Sequence, residues 1–119
     1  MDYESHWLYK EICSMSKELR YSIAHMAVEY RRDIGMEIRS TLRELKYEVY
    51  KSLKYNTIYS GRDDQEDKVT DLLNKVKILM DECIEDNLLL VKGPYTIIQP
   101  RKRLKEILKY RGTTLNVQQ

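Results

Sequence analysis

The sequence holds little glycine or proline and no phenylalanine. Four glycines and two prolines occur in 119 residues, while aliphatic residues and tyrosine are plentiful and 34% of the residues are charged. Long helices produce such a composition, whereas a β-sheet protein or a disordered chain does not. We therefore expect an all-α fold, and the length fits one domain with a hydrophobic core of its own.

Motifs for catalysis and for metal binding are missing. His6 and His25 are far apart, and neither follows a glutamate by three residues as in a di-iron helical bundle. The sequence has no Cys-x-x-Cys or His-x-x-x-His spacing, no glycine-rich phosphate loop and no nucleophile elbow. We expect no catalytic residues, no metal, no cofactor and no small-molecule substrate.

Long apolar runs are missing as well. No stretch reaches the length needed to cross a bilayer, and residues 1–4 lack the cationic and apolar regions of a secretory signal. Cys13 and Cys83 fall inside apolar periodic runs, where a thiol behaves as a small hydrophobic group. The expectation is a cytoplasmic protein with two reduced core cysteines and no membrane partner.

Apolar residues recur at steps of three and four, which is the period of an amphipathic helix. Four such stripes follow one another along the chain, and the last is the shortest. Their members are Leu8, Ile12, Met15, Leu19, Ile23 and Met26; then Ile34, Ile38, Leu42, Leu45, Val49 and Leu53; then Val69, Leu72, Leu73, Val76, Leu79, Met80, Cys83 and Ile84; and finally Leu104, Ile107 and Leu108.

Turn-forming residues mark the end of the second helix. The first stripe predicts a helix from about Tyr3 to the region of residues 24–28. The second helix is predicted to run to Lys54, because Asn56 and the pair Ser60-Gly61 favour a turn. The chain is expected to reverse direction there.

Capping residues mark both ends of the third helix. Asp63 and Glu66 have the spacing of a capping box, which predicts a start near Asp64. The run Lys92-Gly93-Pro94 predicts the stop. The pair Asp63-Asp64 is explained by the positive end of the helix dipole, without a bound cation.

The fourth helix is predicted to be short, with Pro100 in its first turn and an end near Arg111-Gly112. Three long stripes and one short stripe, joined by short connections, bury one another most simply in an up-down four-helix bundle. The bundle should span residues 1–112, which leaves residues 113–119 as a frayed C-terminal tail.

Charge on the second helix is sorted by side. Its cations follow one another by steps of seven, four and three, which keeps them on one face of a helix. They are Arg32, Arg39, Arg43 and Lys46. Glu37, Glu44 and Glu48 follow the same rule on another flank. We interpret the cations as a basic stripe that faces a partner.

Tyr50 continues the basic stripe, four residues after Lys46. A tyrosine beside cations can stack on a nucleic-acid base, because its ring buries area while its hydroxyl stays hydrated. It can equally pack between helix flanks or subunits. Both interpretations remain open at this point.

A second group of cations lies near the C-terminus. Residues 92–119 carry a net charge of +6, whereas residues 55–91 carry −5. The candidate binding residues of this group are Arg101, Lys102, Arg103, Lys105 and Lys109. Most of them precede the last helical turn, so the helix dipole does not explain them. We read them either as phosphate-binding residues or as a solvated face.

The stretch around the start of the second helix carries a resemblance to a known family. Arg31, Ile34, Gly35 and Ile38 fall in register with a Phe-Pro-Lys-x-x-Arg turn, a Leu-Gly pair and a following isoleucine, while residues 26–28 replace the Phe-Pro-Lys part. The chain thereby resembles the four-helix-bundle family of proteins encoded in intervening sequences of 23S ribosomal RNA genes and of accessory variability determinant (Avd) proteins of diversity-generating retroelements.

The resemblance implies a non-enzymatic, homopentameric protein. On the Avd branch, such a protein binds a reverse transcriptase and its template RNA and supports mutagenic cDNA synthesis. The basic stripe favours the Avd branch over the intervening-sequence branch, because it offers a surface for phosphates or for a polymerase. A protein-interaction scaffold that never contacts nucleic acid is the alternative.

Overall fold

The computed structural model of the protein describes residues 2–54, 64–88 and 97–118. Side chains are described from residue 68 onward in the second range and up to residue 109 in the third. The turn near Ser60-Gly61 and the stop at residues 92–94 lie outside these described parts, as do Asp63 and the side chain of Glu66, on which the predicted capping box depends.

Four helices make up the described chain, and no strand occurs within it. After a 3-10 turn at Tyr3–Ser5, helix α1 spans Trp7–Ile23. Helix α2 begins as Val28–Tyr30, passes through a π-helical turn at Arg31–Gly35 and continues as Met36–Lys54. Helices α3 and α4 span Asp64–Glu85 and Ile98–Gln118. The all-α prediction is confirmed.

Helix α1 begins later than its apolar stripe predicts, because His6 acts as an N-cap. The backbone of His6 is extended, and its Nδ1 accepts a hydrogen bond from the Leu8 N–H at 3.1 Å. The preceding 3-10 turn has a cap of its own, since Asp2 Oδ1 accepts from the Glu4 N–H at 3.1 Å. The first turn is therefore a separate element.

The backbone leaves the helical conformation between α1 and α2, and the start of α2 then packs closely on α1. Ala27 is extended, with ψ 145°, so the first helix does not run into the second. Gly35, at the end of the π-helical turn, packs on α1: a Cβ added there would lie 2.9 Å from Ile23 Cγ2. Only a residue without a side chain allows the two helices to approach this closely at that point.

Helix α3 ends in a Schellman motif that the sequence analysis missed. Asn87 has a positive φ of 55°, the conformation that ends many helices. The Leu88 N–H donates to the Cys83 carbonyl at 2.9 Å, and the Asn87 N–H donates to the Ile84 carbonyl at 3.2 Å. These two bonds satisfy carbonyls that the last turn would leave unpaired, so α3 ends ahead of the predicted stop.

Helix α4 is longer than predicted. It begins with Pro100 in its first turn, as expected, but its backbone stays helical past Gly112 to Gln118. A glycine inside a helix costs about 1 kcal/mol relative to alanine, which weakens the helix without ending it. The predicted end near Arg111-Gly112 was wrong for this reason. Fraying of residues 113–119 in solution stays a prediction.

The apolar stripes meet in one hydrophobic core. Helices α1 and α3 each pack against both α2 and α4. All predicted stripe residues are buried except Leu72, Ile84 and Leu108, which are half-buried at the edge of the core. Four helices thus form a compact unit with Cα extents of 43 × 22 × 22 Å.

The two cysteines differ in their surroundings. Both are free thiols; Cys13 is half-buried, whereas Cys83 is fully buried in the core. Burial raises the pKa of the Cys83 thiol to about 11, with Glu82 and Asp86 adding to the shift. Cys83 therefore stays protonated at neutral pH and serves as a packing residue, as its place in an apolar stripe predicts.

Candidate nucleic-acid interface

Helix α2 presents a cationic face to solvent. We define this face as Arg39, Arg43, Lys46, Tyr47 and Tyr50. Arg39 and Arg43 are exposed and Lys46 is half-buried, and none of the three forms an ion pair with another described residue. The apolar stripe of the same helix is buried, so the core orients these cations outward.

Arg32 lies before the regular α-helical part of α2. It is exposed, but it lies inside the π-helical turn Arg31–Gly35. A π-helical turn closes i to i+5 instead of i to i+4, so it rotates the side chains before it relative to those after it. The seven-residue step from Arg32 to Arg39 therefore crosses a turn that does not follow the α-helical period, and we leave Arg32 out of the face defined here.

The acidic flank of α2 faces helix α3. Glu37 Oε1 lies 3.5 Å from Lys75 Nζ of α3. Glu48 is only 7% exposed, and its Oε1 lies 3.0 Å from Lys51 Nζ. Glu37 and Glu48 thus pair with Lys75 and Lys51, whereas Arg39, Arg43 and Lys46 have no ion-pair partner among the described residues.

Tyrosines at the end of the cationic face form an aromatic chain. The Tyr50 ring packs edge-to-face on Tyr3 with centroids 4.8 Å apart, and Tyr3 packs the same way on Tyr9 at 5.1 Å. Tyr47 stacks beside Tyr50 at 6.1 Å with an interplanar angle of 27°. Tyr50 thus has the packing role between helix flanks, while Tyr47 remains 58% exposed.

Two further cations accompany these rings. Lys51 Nζ lies 4.7 Å from the centroid of Tyr47, and Lys54 Nζ lies 5.6 Å from that of Tyr50. Sequence analysis did not include Tyr47, Lys51 or Lys54 among the candidate residues. The sequence could have predicted them, because both tyrosine–lysine pairs are four residues apart on one helix, the spacing at which side chains meet.

The phenols beside this region stay neutral. Burial raises the pKa of Tyr3 and of Tyr9 above the ordinary value, with further increases from Glu4 beside Tyr3 and from Cys13 beside Tyr9. Both hydroxyls therefore keep their protons at neutral pH, and Tyr3 and Tyr9 add no negative charge beside the cations.

The C-terminal cations divide into two groups with different roles. Arg103 joins α4 to α1: its Nη1 lies 2.6 Å from Glu11 Oε2 and its Nε lies 2.7 Å from Glu18 Oε1. The hydrogen bond to Glu11 raises the pKa of Arg103, a shift that burial partly opposes and Glu18 reinforces. Arg101 joins α4 to α3 through Asp81 Oδ1 at 3.0 Å. These two arginines thus link α4 to its neighbouring helices.

Lys102, Lys105 and Lys109 form the second group, which is exposed on α4. Lys102 and Lys105 border a hollow of about 300 Å³ whose floor includes Ile84 and Ile97. Because α2 and α4 both pack against α1 and α3, their outer surfaces face opposite sides of the molecule. The structure therefore does not bring the α4 lysines and the cationic face of α2 into one site.

Within the described side chains, no three of the His, Cys, Asp and Glu residues come together as metal ligands. None of the helices in the described ranges combines the length and the apolar character that a bilayer crossing needs.

Comparison with protein-family models, with curated proteins and with solved structures found no match to this chain. The residues that carry the family resemblance lie together at the junction of α1 and α2. Arg31 is half-buried in the π-helical turn, and Ile34, Gly35 and Ile38 are buried. Ile34, Gly35 and Ile38 thus have a packing role in the core, and the family resemblance stays a prediction.

Proposed function

We propose that the protein is a non-enzymatic adaptor whose α2 cationic face binds nucleic-acid phosphates. One observation supports this most directly: Arg39, Arg43 and Lys46 lie on one face of α2 without an ion-pair partner among the described residues. By contrast, Arg101 and Arg103 form ion pairs with carboxylates of the neighbouring helices α3 and α1. The unpaired cations are the ones that can release counterions from a polyanion.

The resemblance extends this proposal to a specific role. In it, the chain is an Avd-like accessory protein, a homopentamer of up-down four-helix bundles that binds a reverse transcriptase and its template RNA during mutagenic cDNA synthesis. The cyclic packing of α1, α2, α3 and α4 is compatible with such a bundle. A protein of the ribosomal intervening-sequence branch has the same expected fold. Light scattering that finds a monomer at micromolar concentration would contradict the pentamer.

Salt dependence and charge reversal test the cationic face. For three phosphate contacts on single-stranded RNA, affinity should fall about twentyfold when salt rises from about 50 to about 200 mM. Fluorescence anisotropy with a labelled RNA oligonucleotide measures this. The double variant Arg39→Glu with Arg43→Glu should lose most of the binding, because it places two negative charges where phosphates approach.

The matched control reverses two exposed lysines of α4. Lys102→Glu with Lys105→Glu changes the net charge by the same amount on the opposite side of the molecule. This control should retain most of the affinity. Equal losses of RNA affinity in both double variants would mean that net charge, and not the α2 face, drives binding. Circular dichroism verifies that both variants stay folded.

A protein-interaction scaffold is the second candidate. Exposed Tyr47 and Met36 lie on the outer side of α2 near the cations, and aromatic residues, methionine and arginine are enriched at protein interfaces. Competition separates the two functions. A short RNA should displace a bound protein partner only when RNA and protein share the cationic face.

A further inference from the structure

We infer that the α2 cationic face selects single-stranded over double-stranded nucleic acid, with an unpaired base stacked on Tyr47. This inference rests on the proposed function and names the class of nucleic acid that the same face would take. It follows from the placement of one exposed aromatic ring among cations, which phosphate binding alone does not require.

Tyr47 is held in place while much of its surface stays open. Its ring stacks beside Tyr50, and the Tyr50 ring is fixed in turn by Tyr3. Lys51 Nζ lies over the Tyr47 ring, 4.7 Å from its centroid, and is itself anchored 3.0 Å from Glu48 Oε1, so the base would take the ring face that Lys51 does not cover. Tyr47 nevertheless remains 58% exposed. A ring that its neighbours already position loses little conformational freedom when a ligand stacks on it.

Cations lie on both sides of Tyr47 along the helix. Arg43 precedes it by four residues and Lys51 follows it by four, which is about 6 Å of helix axis in each direction. A phosphate on the Arg43 side of a stacked base would therefore meet a cation without an ion-pair partner among the described residues, whereas Lys51 on the other side already pairs with Glu48. Proteins that bind single strands combine these features: cations that follow the backbone and aromatic rings on which bases stack.

A duplex cannot use this arrangement fully. Its bases are stacked on one another, so a ring that lies on the surface of a helix finds no free base face. A duplex would contact only Arg39, Arg43, Lys46 and neighbouring lysines through its phosphates. An acidic protein surface would likewise use the cations, but it would have no bases to stack on Tyr47.

Anisotropy titrations with three probes test the inference on the full chain. The probes are a labelled single-stranded RNA, a duplex RNA of the same length and polyglutamate, which has negative charge but no bases. Tyr47→Leu should weaken binding of the single strand about tenfold, since a stacked base contributes an appreciable part of such affinities. Affinity for the duplex and for polyglutamate should stay within twofold of the unmodified protein, by the same principle.

Two further variants make the result specific to the ring. Tyr47→Phe keeps the aromatic surface and should retain single-strand affinity. Tyr21→Leu removes a comparably exposed tyrosine, 57% exposed, from α1 and should leave all three titrations unchanged. Urea unfolding of Tyr47→Leu verifies that the loss does not come from an unfolded protein.

The outcomes separate this inference from the proposed function. Absence of binding to every probe would overturn both. Equal affinity for single strand and duplex, with no effect of Tyr47→Leu, would overturn the inference and leave phosphate binding by the cationic face intact. A loss on Tyr47→Leu that is equally large for polyglutamate would also overturn it, because the ring would then support protein contact or helix structure instead of base stacking.

Discussion

Replacing Gly35 with alanine should destabilise the protein, although the same change stabilises most helices. A glycine inside a helix costs about 1 kcal/mol relative to alanine, so Gly35→Ala would ordinarily raise the free energy of unfolding. Here the added Cβ would lie 2.9 Å from Ile23 Cγ2 and 3.3 Å from the Tyr30 carbonyl oxygen. The sign of the effect therefore reports how closely α1 and α2 approach.

The magnitude follows from the two opposing terms. Forcing one extra carbon into a packed core typically costs about 1–3 kcal/mol, because neighbouring side chains or helices must shift. The Tyr30 carbonyl is backbone and cannot rotate away, so relief must come from movement at Ile23. After subtracting the gain in helix propensity, we expect Gly35→Ala to lower the free energy of unfolding by up to about 2 kcal/mol.

Urea unfolding followed by far-ultraviolet circular dichroism measures this difference. A double-mutant cycle with Ile23→Ala identifies the contact, because that change removes the Cγ2 atom. Ile23→Ala alone should cost about 2–5 kcal/mol through the cavity it leaves. The double variant should be less destabilised than the sum of the two single variants, by at least about 0.5 kcal/mol. Additive effects, or a Gly35→Ala variant more stable than the parent, would refute the close approach.

Two other changes test how the helices are capped and joined. Arg103→Met should lower the free energy of unfolding by about 2 kcal/mol, because it removes hydrogen bonds to two carboxylates. As a control in the same urea titration, Lys102→Met at the neighbouring exposed position should change the free energy of unfolding by less than about 0.5 kcal/mol. Burial lowers the pKa of His6 from its ordinary value, so the stability that neutral His6 contributes is complete above about pH 6.5 and is lost as pH falls below that value. His6→Asn keeps a capping side chain and should flatten this part of the pH dependence of stability. Parallel pH profiles of the two proteins would contradict this expectation.

The helices and their core could be predicted from sequence because the signals are local. Steps of three and four placed the stripe from Leu8 to Met26 and the stripe from Ile34 to Leu53 on buried faces, and both are buried. A buried face needs only the period of the helix, which the order of residues contains. The same reasoning placed Arg39 and Arg43 on an exposed face.

Helix ends and ion pairs were harder to predict. The caps at His6 and Asn87 depend on backbone conformations that several residue types can adopt, so the spacing of apolar residues does not locate these helix ends. The bonds from Arg103 to Glu11 and Glu18 join residues 92 and 85 positions apart. Spacing along one helix contains no information about such pairs, which is why Arg103 was grouped with the binding residues.

The π-helical turn at Arg31–Gly35 also bears on how the length of this chain can vary. Because a π turn contains one residue more than the α turn it replaces, deletion of one residue there would leave an ordinary α-helix with its later faces in register. A deletion elsewhere in α2 would rotate everything downstream by about 100° and turn apolar side chains toward water. Insertions and deletions of a single residue in homologous sequences should therefore cluster at this turn.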